Sequence, residues 1–585
     1  MIATLSAISV LGLTAAQAIT VTPNVADGEV LRGERVIRVV VQAPHPVTSV
    51  EFYVDDDLRD SDSSVPYEFR LDTLAEKEGE LTLTFAAYTT EGTSGRRVVR
   101  VVVDNEIGRG AEFHVQRGLD YLGESKWAEA IQAGRAALKA QPGYNPARIV
   151  MARAYLGQGV LDSAQKFAED ALAADPKLDE AADLLAAVSL RRAFATVNRG
   201  GSQDETLRSI RDALTTAVNS RRRVLDRRVD EFGPVTAENR IEFADAAIRA
   251  GRFSLAVSEL LPVLRVDNRN TALINRVAFA QMRAGRYAEA FQVLADARRF
   301  DALDGYSYAM LALIESKRGN ESGADDAMRE AMLGDPDNIG VRTAQAALAV
   351  RRGRTDTLAN LASSLTRDAG ERSEVHYYLY ILFSLRNDPV EAERAFQRTV
   401  LAEPANHTIY VERANQALAI VANSRIEQGQ RAFQTNAARA FYAVALAARP
   451  ESPEALTGLA LVDAMNRNWP DAYRNARAAV SAARDYAPGQ YALSAVAAAL
   501  EADLRARAEQ VSRRNRDGSI TDEMRAEMNR LISQADNLAR ESQEANQAAG
   551  RLDPAMLGGR QVPNVMDAYN YFARHGRIPL ITAPR

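Results

Sequence analysis

A 34-residue period in the positions of small residues constrains the fold of this 585-residue chain more than any other feature. Self-similarity at a fixed period of this length is typical of arrays of helical hairpins, in which neighbouring units share one continuous core. The period therefore predicts a stack of helix–turn–helix units. The recurring residues are Gly118, Ala130 and Ala137, then Ala152, Ala164 and Ala171, and further along Gly251, Gly285, Gly319 and Gly353, with Asn387 next in the series.

Each recurring position has a physical reason to be small. Where the first helix of one unit crosses its neighbour, only Gly or Ala lets the two backbones approach closely. The glycine between the two helices takes the backbone conformation that ends one helix and starts the next. A proline after the second helix, as at Pro142, Pro176 and Pro336, prevents that helix from continuing.

In its period and in these positions the chain resembles the tetratricopeptide-repeat (TPR) family over most of residues 111–486. The resemblance implies a mainly α fold, a TPR-type α-α superhelix whose concave face binds a protein or peptide partner. We expect the partner to contact first-helix side chains that flank the small positions. These are Arg148, Met151, Tyr155, Asn275, Ala278, Met282, Tyr308, Leu311 and Glu315.

The front of the chain changes to a period of two, which is typical of β-strands. Runs such as Leu81–Tyr88 and Val98–Val103 alternate with turn-forming stretches, so residues 19–106 predict a small β-sandwich. The series Val50-Glu51-Phe52-Tyr53-Val54-Asp55 and Pro66-Tyr67-Glu68-Phe69 resembles the bacterial Ig-like modules of exported proteins. A cluster of acidic residues is interpreted as a solvated loop, with a calcium site as the alternative because hard oxygen donors suit that ion. The cluster comprises Asp55, Asp56, Asp57, Asp60 and Asp62.

Two insertions interrupt the 34-residue spacing, and the repeats end before the end of the chain. Residues 179–236 predict a degenerate repeat with a long helix from about Asp204 to Asp230, and residues 406–436 predict one pair of lengthened helices. Beyond Pro488, two long helices are predicted to cap the last apolar face, with an intermolecular coiled coil as the alternative. The tail after Arg551 is predicted to be loop-like, with its aromatic residues folding back onto the array. The predicted segments are a signal peptide (1–18), the Ig-like sandwich (19–106), TPR repeats (111–178 and 237–486), the degenerate repeat (179–236), the helical cap (487–550) and the tail (551–585).

The first eighteen residues predict export. Met1–Ala18 is apolar and uncharged, is too short for a comfortable membrane anchor, and ends in Ala16-Gln17-Ala18, a pattern that signal peptidases read. It lacks the basic residue that usually precedes such a signal, and the alternatives are a buried N-terminal segment or a start assigned too late. We expect a periplasmic, envelope-associated or extracellular protein without a transmembrane segment.

Composition and motifs point away from catalysis. The chain has no cysteine, which excludes disulfides, thiolate metal sites and cysteine nucleophiles. Its net charge of -5 gives no general attraction to nucleic acid. The histidines are scattered, and no zinc-peptidase, Walker or Rossmann motif occurs, so we predict no enzyme, no metal site and no cofactor. The cluster Arg221–Arg228 is interpreted as a solvated face, with an acidic partner or polymer as the alternative.

Two functions are consistent with this organisation. The first is an exported, non-enzymatic scaffold or adaptor that binds partner proteins through the concave face of its superhelix. The second is a structural spacer or adhesive protein of the cell envelope or surface, which uses the Ig-like module.

Overall fold

The structure, a computed structural model, describes residues 18–197, 203–369, 372–423, 425–514, 519–553 and 563–584. Apart from Ala18, the predicted signal peptide lies outside the described residues. The chain divides between Leu184 and Leu185 into two compact units, which we describe in turn. Within the described ranges, no helix combines the length and the apolar composition needed to cross a bilayer.

The first unit begins with a β-sandwich, as predicted. Its strands are β1 (Thr20–Pro23), β2 (Val30–Leu31), β3 (Glu34–Gln42), β4 (Val47–Val54), β5 (Asp57–Asp62), β6 (Tyr67–Asp72), β7 (Gly79–Thr89) and β8 (Ser94–Val103). One sheet has the order β1-β3-β6 and the other β2-β8-β7-β4-β5. Neighbouring strands are antiparallel except for the parallel pair β2 and β8.

Period-two alternation places apolar side chains of both sheets in one core. The rings of Phe52 and Phe85 from one sheet stack with centroids 5.2 Å apart, and Phe69 of the other sheet lies 5.3 Å from Phe52. The acidic loop is a tight turn in which Asp55 and Asp56 have positive φ. It leads into β5, an exposed edge strand that was not predicted because it has no apolar alternation. In the described part of the chain, no group of His, Asp and Glu side chains could hold a metal ion.

Polar contacts fix the sandwich to the first helical repeat. After a short 3-10 helix (Ile107–Arg109) come two helix pairs, α1 (Ala111–Gly123) with α2 (Trp127–Ala140) and α3 (Asn145–Gln158) with α4 (Leu161–Ala174). On α2, Arg135 forms an ion pair with Asp72 at the end of β6. The Lys139 ammonium donates to the carbonyls of Leu74 (2.7 Å) and Glu76 (2.6 Å). The sandwich and the first repeats therefore form one unit.

The second unit consists mainly of helix pairs. α5 (Asp179–Val197) contains the division between the units and is followed by the long α6 (Gln203–Asp230). The pairs are α7 (Arg240–Arg249) with α8 (Phe253–Val266), α9 (Thr271–Arg283) with α10 (Tyr287–Arg299), α11 (Gly305–Lys317) with α12 (Glu321–Gly334), α13 (Ile339–Arg351) with α14 (Thr355–Ala369), α15 (Ser373–Leu385) with α16 (Pro389–Ala402), α17 (His407–Ala422) with α18 (Gln428–Ala448), and α19 (Pro453–Met465) with α20 (Trp469–Ala482). A long hairpin of α21 (Ala487–Ser512) and α22 (Asp522–Leu552) follows, and then α23 (Val565–His575).

The residues that set the period have the predicted conformations. Gly251, Gly285, Gly319 and Gly353 have φ between 65° and 83°, and Asn387 continues the series at 55°. The small residues of the second helices are buried, with exposed fractions of 0% for Ala256, Ala290 and Ala324. The predicted TPR-type stack of helical hairpins is therefore confirmed. The lengthened pair is α17 and α18, with 16 and 21 residues.

The pairs from α7 to α20 turn back on themselves. α6 packs against α7, at one end of the stack, and also against α18, near the other end. The Arg449 guanidinium, just after α18, donates to the carbonyl of Arg283 at the end of α9 (2.9 Å). Arg222 of α6 donates to the carbonyl of Ala448 (2.9 Å). These contacts bring first helices that are distant in sequence around a common interior.

The tail differs from the prediction of a loop. Residues 565–575 form α23, which begins with a capping box between Asn564 and Asp567 and buries Ala568 and Phe572. α23 packs against α19 and α21, so the aromatic residues do fold back onto the array. The capping pair and the apolar spacing explain the helix. After α23, residues 576–584 have no regular secondary structure.

Replacing Gly458 by Ala is expected to destabilise the second unit. A Cβ at Gly458, inside α19, would lie 2.2 Å from the buried Tyr442 ring. Overpacking of this kind typically costs about 1–3 kcal/mol. Gly429 of α18 is the matched control, because a Cβ there meets nothing within 4 Å. Urea unfolding followed by circular dichroism measures both variants, and equal midpoints for Gly458→Ala and Gly429→Ala would contradict the close crossing.

Candidate peptide-binding groove

A groove runs along the inner face of α9, α11, α13, α15 and α17, and residues 576–584 of the same chain lie in it. We call residues 576–584 the groove segment. Its side chains Ile578, Leu580 and Ile581 are buried, with exposed fractions of 1%, 6% and 2%, and belong to the main core of the second unit. The wall beside Ile578 and Leu580 includes Leu313, Ala347 and Val350.

The groove recognises the main chain of its segment. Side-chain donors reach four carbonyl oxygens: Tyr486 donates to Gly576 (2.5 Å), Arg283 to Pro579 (2.9 Å), Tyr378 to Leu580 (2.6 Å) and Tyr306 to Thr582 (2.7 Å). The Thr582 N–H donates in turn to the Thr343 hydroxyl (3.2 Å). Burial raises the pKa of Tyr306, Tyr378 and Tyr486, so these hydroxyls stay protonated donors. Hydrogen bonds to the main chain give affinity for an extended peptide without depending on its side chains.

One side chain of the groove segment is recognised by its charge. Arg577 donates from Nε to Oε2 of Glu412 on α17 (2.8 Å) and from Nη2 to Oε1 (2.6 Å). The Glu412 side chain is only 5% exposed, whereas that of Arg577 is 40% exposed. The carboxylate of Glu412 raises the pKa of Arg577, so the guanidinium stays charged. A bidentate pair of this geometry fixes the register of the segment along the groove.

A buried polar network holds the arginine that binds Pro579. The carbonyl of Arg283 accepts from Arg449, and Glu454 lies 4.0 Å from Arg449 and 3.7 Å from His407. Burial lowers the pKa of His407 to about 4, so the imidazole is neutral at pH 7. Burial alone would raise the pKa of Glu454, but His407 and the two arginines lower it, so the carboxylate is ionised. Two guanidinium groups against one carboxylate leave an excess of positive charge, which suits carbonyl acceptors.

Lys317 places a further cation beside the start of the groove segment. Its Nζ donates to the carbonyl of His575 (3.3 Å) and lies 4.3 Å from the ring centroid of Tyr287. Burial lowers the pKa of Lys317 to about 7, and the charge of Arg351 acts in the same direction. The charge of this ammonium is therefore sensitive to pH near neutrality.

The predicted contact residues of the second unit lie on first helices, and one of them, Asn275, lines a cavity together with Thr582, Ala583 and Pro584 of the groove segment. Asn275, Ala278, Met282 and Leu311 are buried, with exposed fractions of 0–4%, and Tyr308 and Glu315 are half-buried. Asn275 accepts from the Ser307 hydroxyl (2.6 Å) and donates to Asp304 (2.9 Å). Contact of these six residues with a partner stays a prediction.

The other three predicted contact residues belong to the first unit. Arg148 donates to Asn145 (2.9 Å) and to the carbonyl of Asp170 (3.1 Å). Met151 is buried in the core of the first repeats, and Tyr155 stacks on Phe167 with ring centroids 5.7 Å apart. Their role in binding also stays a prediction.

Several side chains of the arginine cluster are used inside the second unit. Arg221 pairs with Glu403 (3.0 Å), and Arg222 pairs with Asp226 (2.9 Å). Arg252, from the turn before α8, pairs with the same Asp226 (3.0 Å) and with Asp230 (2.6 Å). These contacts attach α6 to the stack, and binding of an acidic polymer at Arg221–Arg228 stays a prediction.

The groove segment and the residues that hold it were not predicted. One signal was present, because a basic residue recurs every 34 positions in the last turn of four successive first helices, at Arg249, Arg283, Lys317 and Arg351. Two of these, Arg283 and Lys317, donate to carbonyls in or next to the segment. The tyrosine donors follow no such period, so they could be located only from the structure.

Removing the Arg577 side chain is expected to lower the free energy of unfolding by about 1.5–3 kcal/mol, because it leaves the buried Glu412 carboxylate without its donors. Arg574→Ala is the matched control, since Arg574 is exposed on α23. In the Arg577→Ala background, Glu412→Ala should cost little more, because partners in one pair are not additive. Urea unfolding measures five chains: the natural chain, Arg577→Ala, Glu412→Ala, the double variant and Arg574→Ala. Additive losses, or an equal loss for Arg574→Ala, would contradict the pair.

Replacing Lys317 by Met is expected to flatten part of the pH dependence of stability. The ordinary pKa of this group is 10.5 and burial lowers it to about 7, so between these values the unfolded chain holds a proton that the folded chain has released. The free energy of unfolding of the natural chain should therefore rise from pH 7 to 10 relative to Lys317→Met, by at most about 1.4 kcal/mol per pH unit. The exposed Lys77→Met is the control. A constant difference between the natural chain and Lys317→Met across this range would show that Lys317 stays charged.

Comparisons with known proteins agree with both parts of the architecture. Residues 121–188 match a tetratricopeptide-repeat model and residues 19–85 match a bacterial Ig domain model. Curated protein sequences give no match to the chain.

The chain also has likeness to several solved structures. The fibronectin(III)-like modules of Clostridium thermocellum CbhA are 28% identical and cover 14% of this chain and 94% of their own, with a TM-score of 0.14. Yeast Tom70 is 15% identical over 76% of this chain and 96% of its own, with a TM-score of 0.31. The Cut9–Hcn1 tetramer of the APC/C is 11% identical over 76% and 84%, with a TM-score of 0.35.

Residues 19–85 are therefore a bacterial Ig-like domain and residues 121–188 belong to tetratricopeptide repeats, and the fold is a TPR-type helical solenoid behind an Ig-like domain.

Proposed function

We propose that this chain is an exported, non-enzymatic scaffold that receives an extended segment of a partner protein in the groove of its second unit. A TPR fold suggests a protein-interaction role, and this groove supports a specific mode of interaction. The observation that carries the proposal is the set of side-chain donors aimed at four main-chain carbonyls between Gly576 and Thr582. Donors in this arrangement suit a peptide in extended conformation.

Export is part of the proposal and is supported from the front of the chain. A bacterial Ig domain suggests a surface or exported protein. The apolar segment Met1–Ala18, with its small-x-small end, supports the same proposal because it has the pattern of a signal peptide apart from the usual basic residue. The absence of cysteine is compatible with any compartment outside the cytoplasm.

A second candidate function is that of an envelope spacer. The contacts of Arg135 with Asp72 and of Lys139 with Leu74 and Glu76 favour it, because they join the sandwich and the first repeats into one body. A spacer needs such rigid connections but does not need a groove that binds a peptide. The two functions differ in whether a protein binds at the groove.

Photo-crosslinking in the native host cells tests the scaffold function. A photoreactive amino acid in place of Val350, which lines the groove, is expected to attach a discrete partner protein. The matched control is the same amino acid in place of Val266, which is 89% exposed at the end of α8. An abundant envelope-associated chain with nothing attached at Val350, or the same proteins attached at both positions, would favour the spacer.

A further inference from the structure

The groove segment occupies the place that a partner would take. We propose that residues 576–584 are an internal ligand, and that a partner protein binds by putting an extended segment of the same chemistry in their place. That chemistry is a basic side chain followed by apolar residues around a proline. The inference rests on the proposed function. It adds the chemical class of the partner segment and states that this segment must displace residues 576–584.

The groove segment can leave without unfolding a helix. Residues 576–584 belong to no helix or strand. The preceding α23 has anchors of its own, because Phe572 is 3% exposed and the Tyr571 hydroxyl donates to Asp553 (2.6 Å). α23 can therefore stay docked while the groove segment exchanges.

Replacement of the groove segment by another peptide is more favourable than its departure from an unoccupied groove. The hydroxyls of Tyr306 and Tyr378 donate to segment carbonyls and would lose these acceptors if the segment left. Arg283 would lose the Pro579 carbonyl and keep its bond to the Thr408 hydroxyl. A buried donor without an acceptor costs about 1–3 kcal/mol. Because every peptide carries carbonyls, a second extended chain can satisfy the same donors.

Side chains of the groove segment define which peptides fit. The buried carboxylate of Glu412 needs a cation, which Arg577 supplies. Ile578, Leu580 and Ile581 fill the apolar wall. Pro579 has no N–H to satisfy and has a fixed φ, so it reduces the conformational freedom lost on binding. A partner segment of the form basic–apolar–Pro–apolar–apolar combines these features.

Covalent attachment gives the groove segment an advantage over any free peptide. Connection to the same chain produces an effective concentration on the order of millimolar. A partner segment must therefore bind tightly enough to displace the groove segment, through stronger contacts or through a second binding site elsewhere on the chain. Peptides with low affinity for the groove are excluded.

Fluorescence anisotropy of a labelled peptide with the sequence of residues 576–584 tests the proposal. The peptide is expected to bind a chain that lacks residues 576–585, and to bind the full chain at least about tenfold more weakly because of the attached competitor. A peptide with Arg577→Glu should bind the shortened chain at least about tenfold more weakly than the natural peptide, because it places a carboxylate against Glu412.

A second variant keeps the test informative if the shortened chain does not fold. The full chain with Arg577→Glu and Ile578→Asp weakens the attached segment without removing it. This variant should unfold cooperatively and bind the natural peptide more tightly than the unmodified full chain does. Failure of both altered chains to fold, or to bind the peptide, would show that residues 576–584 are a fixed part of the core and would overturn the proposal.

A reversible lock provides the matched control. The chain has no cysteine, so Thr343→Cys with Thr582→Cys introduces the only pair, at residues joined by a 3.2 Å hydrogen bond. Under oxidising conditions this full chain should not bind the peptide, and reduction should restore the weak binding of the unlocked chain. Equal binding in both states would contradict competition for one groove.

The outcomes separate this proposal from the proposed function. If a partner attaches at Val350 in cells but the peptide does not bind the altered chains, the scaffold function stands and the internal ligand is wrong. If the peptide binds and the lock prevents it, but no protein attaches at Val350, the groove is a peptide site and the scaffold function is wrong.

Discussion

The apolar inner face of the helix pairs is the constraint on which the rest of the second unit depends. Each pair covers a flank of its neighbour, but the pairs of a stack that turns back on itself leave part of its inside uncovered. In this chain Ile578, Leu580 and Ile581 take that place and join the same core. The helix pairs and the groove segment cover apolar surface of each other. The curvature of the stack and the position of the groove segment are therefore coupled.

Polar groups on the same face determine what kind of chain can cover it. Arg283, Tyr306 and Tyr378 need acceptors that a non-helical backbone supplies and the middle of a helix does not, since a helix uses its own carbonyls. The buried Glu412 adds a requirement for one cation. In the structure a face that combines these groups binds the groove segment, and under our proposal it binds a partner segment in the same way.

The sequence was sufficient for the repeat and for the sandwich, because both have a local period. Gly251, Gly285, Gly319 and Gly353 mark turns whose conformation depends on residues close in the chain. The edge strand β5 and the helix α23 have weaker local signals, and only a capping pair marked α23. The groove itself depends on contacts across long separations, such as Arg577 with Glu412, 165 residues apart. A local sequence period carries no information about such contacts. It therefore indicates that the contact residues lie on first helices but not which side of each helix faces inward.

The most direct measurement of the central claim is a photochemical one in the natural full-length chain. A diazirine analogue of leucine at Leu580, which is 6% exposed, changes the side chain very little. After irradiation, mass spectrometry is predicted to find it attached within the same chain to α11, α13 or α15, near Leu313, Val350 or Tyr378. Attachment to other helices, or to solvent alone, would contradict the claim that the inner face of the stack binds an extended peptide.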